Sequence, residues 1–65
     1  MLEFVKKILV KVSFDSELFQ KELKKSFKLL SSNELLALYS WCIITFGDRY
    51  RDIIVKVFSD SKILH

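Results

Sequence analysis

Few side chains in this sequence could carry out bond-making chemistry. Cys42 is its only cysteine and His65 its only histidine. A nucleophilic thiol needs a neighbouring base and an electropositive, partly exposed setting. Cys42 is flanked by Trp41 and Ile43, which predicts a buried, inert side chain. His65 is the last residue, with no second ligand at useful spacing, so it reads as part of a tail. Asp48 and Asp52 stand four apart on one helix face, but two carboxylates with no third ligand, next to Arg49 and Arg51, make a poor cation site. No acid, base and nucleophile set can be placed in one pocket. The expectation is therefore a protein that is not an enzyme, with no cofactor and no metal.

Charge supplies the remaining candidates. Lys21, Lys24, Lys25 and Lys28 fall at i, i+3, i+4 and i+7, a basic stripe able to track phosphates. A lysine-only stripe lacks the planar fork that reads bases, and Glu17 lies one turn before Lys21, so a solvated face is the simpler reading. Arg49 and Arg51 would open a fourth helix just past Gly47, where a helix-turn-helix protein places base-reading side chains. Asp48 and Asp52 would repel the same phosphates, and surface ion pairs with a cap account for the run. The net charge of +3, from eleven basic and eight acidic residues, is mildly basic and selects no partner.

Those side chains must be positioned by helices. Leu35 to Phe46, LLALYSWCIITF, is twelve residues without a charge, apolar almost all the way round. Such a helix is either the centre of a small bundle or the contact surface of an oligomer. It would rise only about 18 Å, against roughly 30 Å of bilayer hydrocarbon, so a membrane span is not expected. The apolar run Ile8 to Val12 is broken by Lys11 with no cleavage site after it, which argues against a signal peptide.

The expected fold is all-α, a compact single domain of three to four short helices around that apolar central helix, completed by oligomerisation. Leu2, Val5, Ile8, Leu9 and Val12 recur at helical spacing and predict a first helix over 1–13. Glu3 would pair with Lys7 on its polar side. Alternation at Ile8, Val10, Val12 and Phe14 leaves a strand as the competing reading. Asp15 reads as the N-cap of a basic helix over 15–30, with Phe14 and Phe19 as a hydrophobic staple. The apolar face of that helix, Phe19, Leu23, Phe27 and Leu30, lies within about 80° opposite the lysines. Ser31 and Glu34 form a capping box for the central helix, 32–46, with Leu30 and Leu35 as its staple. Gly47, the only glycine, would terminate it, Asp48 would cap a fourth helix over 48–58, and 59–65 would be a tail.

ILVKVSFDS at 8–16 and IIVKVFSDS at 53–61 echo one another with an offset of forty-five residues. Two similar helices followed by similar caps explain the echo better than a solenoid repeat, which would need about three units. Leu38, Tyr39, Cys42, Phe46, Gly47 and Asp48 coincide with the LY, C and FGD pattern of Rop-type plasmid copy-number regulators, which are RNA-binding helical dimers. The resemblance covers eleven residues. That family's long heptad-patterned second helix is missing and its RNA-touching first-helix residues have no counterpart, so the chain is not assigned to it.

Half of the residues are hydrophobic and nine are aromatic, more than a 65-residue chain easily hides. The leading expectation is a small non-enzymatic interaction protein, a homo-oligomer and most simply a dimer, self-associating or meeting a protein partner through Leu36, Tyr39, Trp41, Ile43 and Ile44. A nucleic-acid-binding regulator using Lys21, Lys24, Lys25 and Lys28, with Arg49 and Arg51, is the alternative. A membrane-surface role for 1–12 ranks third. A single unpaired cysteine suits a cytoplasmic location.

Overall fold

The computed structural model describes residues 1–60. They form α1 (Leu2–Lys11), α2 (Ser16–Ser26) and α3 (Ser32–Asp60), with no strand among the described residues. The strand reading of the first segment is therefore overturned. Val5 and Leu9, one turn apart, are the residues α1 buries, and Glu3 and Lys11 sit in its first and last turns, where they complement the helix dipole. Glu3 pairs with Lys6, Nζ to Oε2 3.2 Å, and not with Lys7.

Asp15 caps α2 as its sequence position implies, its carboxylate accepting from the amides of Glu17 (2.9 Å) and Leu18 (3.3 Å). The expected staple is absent. Phe14 is 74% exposed while Phe19 is fully buried, because the Phe19 ring packs against Phe46 (centroids 5.1 Å) and Tyr50 (4.8 Å). α2 also stops at Ser26, short of Leu30. The amides of Phe27, Lys28 and Leu29 each donate to a carbonyl three residues back, which tightens the chain into a 3₁₀-like turn. That turn sets the Phe27 ring against Phe58, centroids 5.0 Å apart, and buries Leu30. The one buried polar residue among the described residues, Ser26, donates its hydroxyl to the Leu23 carbonyl at 2.6 Å.

Ser31 and Glu34 form the reciprocal capping box at the start of α3. The Glu34 amide donates to the Ser31 hydroxyl (3.3 Å) and the Ser31 amide to the Glu34 carboxylate (3.0 Å). The Ser31 backbone amide is the main reason the Glu34 carboxyl is held below its ordinary pKa.

From there α3 runs through Gly47 without stopping. The glycine has no positive φ, so the expected cap at Gly47 and helix start at Asp48 do not form, and the second helical segment begins after Tyr50 instead. The break falls at Tyr50, whose φ of −124° and ψ of 21° leave the helical region. A straight helix of 29 residues would be about 43 Å long. The longest dimension of the fold is 27 Å, so α3 has to bend. Tyr50 is buried and its hydroxyl donates to the Ser13 carbonyl in the turn between α1 and α2, which ties the bend to the rest of the fold. The bend brings Ile54, Val57 and Phe58 into the core that Leu35, Leu38, Cys42 and Phe46 share with α1 and α2. Buried residues at 38, 42, 46, 50, 54 and 58 advance by four each time. Around a regular helix such a stripe turns about 40° per step, so no single straight face could carry it.

The two echoed segments have different structures. Residues 8–16 leave α1 and turn into α2, with Asp15 as a cap, whereas 53–60 are helical throughout. Ser59 and Asp60, expected in the tail, are instead the last residues of α3, and 61–65 lie outside the described residues.

Gly47→Ala follows as a test of the continuous helix. A methyl added there would meet only Ile43 Cγ2, at an ordinary 3.8 Å. Urea denaturation is expected to show a gain of about 0.5–1 kcal/mol from helix propensity. A loss of stability would mean that the helix does stop at this residue.

Candidate functional site

The outward side of α3 carries the most exposed large hydrophobic side chain among the described residues. α1, α2 and the segment after Tyr50 bury Leu35, Leu38, Cys42 and Phe46 on one side of the helix. On the other side Leu36 is 47% exposed and Ile44 is 83% exposed. Leu36, Ser40 and Ile44 follow one another at single-turn spacing, so they share a face. Tyr39 and Ile43 are half-buried at its flank, the Tyr39 ring packing edge-on against Phe58, centroids 5.0 Å apart. Tyr39, Ser40, Ile43, Ile44 and Arg51 line a shallow depression of about 290 Å³ there. The segment expected to be enclosed is thus enclosed on one side only.

Trp41 lies apart from that depression. It faces α1, where Lys6 Nζ sits 5.6 Å from its ring centroid, and its edge contacts Phe46 at 5.4 Å. Glu3, Lys6, Lys7, Val10, Lys11 and Trp41 line an open groove of about 460 Å³. The α1 lysines did not emerge from sequence reasoning. Their spacing shows a basic side to α1, but Trp41 stands thirty residues beyond Lys11 and only the fold places it beside them.

Lys21, Lys24 and Lys25 lie on α2 as their spacing implies, whereas Lys28 falls past its end at Ser26, in the 3₁₀-like turn. Lys21, Lys24, Lys25 and Lys28 are all exposed, and Lys25 is engaged by Glu22 at 3.4 Å. Arg49 and Arg51 are also exposed, Arg49 in the last turn before the break at Tyr50 and Arg51 in the first turn after it. Without a helix N-terminus at Asp48, the helix-turn-helix geometry is not formed. Arg49 instead lies over the Tyr50 ring, 5.3 Å from its centroid, while Arg51 borders the Ile43 and Ile44 depression.

Cys42 is fully buried, and loss of hydration on burial pushes its thiol up to about 12. A thiol so poorly ionised is a weak nucleophile near neutral pH. Asp48 and Asp52 are exposed, and no cluster of three or more metal-ligating side chains occurs among the described residues. His65 lies outside them. No helix among the described residues is long and apolar enough to cross a membrane.

No family model matches the chain, and comparison with curated proteins and with solved structures found no match.

Proposed function

We propose that this chain is a small, non-enzymatic helical interaction protein that self-associates through the outward face of α3. The exposure of Ile44, 83% of its surface in water within a twelve-residue uncharged segment, carries the reading. Burying a large aliphatic side chain contributes about 1.5–3 kcal/mol. In a two-fold dimer every contact occurs twice, so Ile44 and Leu36 would supply four such burials. A standard interface covers about 800 Å² per partner. The total surface here is 4435 Å², so a dimer would cover a substantial share of the molecule and relieve the apolar excess. Tyr39, held in place by Phe58, offers a rigid aromatic at the edge of the same face. Arg51 closes the depression and would lie at the polar rim.

Sedimentation velocity across a range of concentrations tests the proposal. The wild-type chain is expected to exceed its monomer mass of 7.7 kDa as concentration rises. Ile44→Asp should return it to monomer with an unchanged circular dichroism spectrum, because so exposed a side chain contributes little to folding. Phe14→Ser, at an equally exposed apolar position in the turn between α1 and α2, should leave the association intact. A monomer at all concentrations, or dissociation by the Phe14 variant and not the Ile44 variant, would rule out this face.

A further inference from the structure

The groove between α1 and α3 is separate from the α3 face and has a different chemistry. We propose that it binds single-stranded nucleic acid, with one base lying against Trp41 and the phosphodiester chain following Lys7 and Lys11. This reading is independent of self-association and stands on three observations.

The first is charge. Three ammonium groups and one carboxylate line the groove, and Glu3 is already engaged by Lys6 at 3.2 Å. Lys7 and Lys11 are exposed, have no ion-pair partner among the described residues, and stand one turn apart, about 6 Å along the helix. They form a short, unneutralised positive edge.

The second is the hydrogen-bonding character of the walls. The walls offer three ammonium donors, the apolar faces of Val10 and Trp41, and one carboxylate, Glu3, which Lys6 engages through Oε2. A phosphodiester is an acceptor-only anion and matches the ammonium donors that outnumber that single acceptor.

The third is the position of the aromatic. Trp41 is half-buried between two helices with Lys6 Nζ over its ring, so a base reaches it only when splayed out of a stack and by displacing that ammonium, which is then free to meet a phosphate. Aromatic platforms beside a basic track are how single strands are held without sequence preference, and lysine point charges add none. A bilayer fits less well, because Val5 and Leu9 of α1 face the core and, of the apolar side chains this segment exposes, Met1, Phe4 and Val10, only Val10 lines the groove.

Trp41 is the only tryptophan, so its emission reports directly on the groove. The full chain would be titrated with short oligothymidylate DNA and oligouridylate RNA, following Trp41 emission together with the anisotropy of labelled strands. Both strands are expected to quench Trp41. Two or three neutralised phosphates should weaken binding about tenfold between roughly 50 and 200 mM salt. A Lys7→Gln, Lys11→Gln double variant should weaken it about tenfold or more at the lower salt and flatten the salt dependence. The quadruple variant with Gln at positions 21, 24, 25 and 28 should keep the quench. Both variants alter exposed residues, and circular dichroism checks their fold. A duplex of equal length, polyglutamate, and phosphatidylserine–phosphatidylcholine vesicles should leave the emission unchanged. Four results would overturn the proposal: no binding at the lower salt, anisotropy without an emission change, loss of binding in the α2 variant and not the α1 variant, or equal quenching by any of the comparison ligands.

Discussion

Phe19→Ala is expected to leave much of the chain unfolded at 25 °C. The ring is fully buried where α2 meets the bend of α3, edge-on to Phe46 with centroids 5.1 Å apart and tilted against Tyr50 at 4.8 Å. Truncating a buried Phe removes its transfer free energy and leaves a cavity, at a cost of about 3–5 kcal/mol. Part of that cost is the aromatic geometry itself, about 0.5–1.5 kcal/mol per pair beyond area burial. At about 0.05–0.15 kcal/mol per residue, a domain of this length has roughly 3–10 kcal/mol of stability, so one truncation can remove most of it. Urea denaturation followed by far-UV circular dichroism measures the loss. Phe14→Ala is the control, five residues away but in solvent, and should stay within about 0.5 kcal/mol of wild type. If the Phe19 variant lost less than about 1 kcal/mol, the aromatic cluster would not be the centre of the core.

The Tyr50 pair of variants should separate two contributions that one substitution would merge. Tyr50→Ala is expected to cost about 3–5 kcal/mol, since it empties the space beside the Phe19 and Phe46 rings and removes the tie to Ser13. Tyr50→Phe keeps the ring and removes only the hydroxyl, leaving the Ser13 carbonyl without this donor at a part-buried site. The expected cost is about 1 kcal/mol. The same urea experiment reads both. A silent Tyr50→Phe variant would mean that the hydroxyl does not hold the bend. Because Tyr50 touches Phe19, the double Ala variant should lose less than the sum of the single losses.

How far each feature could be read in advance depended on the sequence range of the interaction behind it. The caps at Asp15 and at Ser31 and Glu34 involve groups no more than three residues apart, so residue type and spacing identified them. The face of α2 was legible for the same reason: Phe19 and Leu23 turn inward and Lys21, Lys24 and Lys25 outward, as a 3.6-residue period requires. The end of the central helix was not. Gly47 is the residue a local rule selects, yet a glycine only permits a positive φ and does not impose one. α3 breaks three residues later because the side chain that reaches the turn between α1 and α2 belongs to Tyr50.

The two candidate sites divide in the same way. The excess of apolar residues in 35–46 was plain from composition, but which of them stay in water depended on where α1, α2 and the end of α3 pack. That left Ile44 outside and placed Trp41 against α1. By itself the sequence determined the helical class, where α2 and α3 begin, and the amphipathic face of α2, because local hydrogen bonds and helical periodicity decide those. Only the tertiary structure decided where α3 bends, that Phe19 and not Phe14 fills the core, and that Trp41 meets Lys7 and Lys11, because those outcomes rest on contacts between distant residues competing for one small interior.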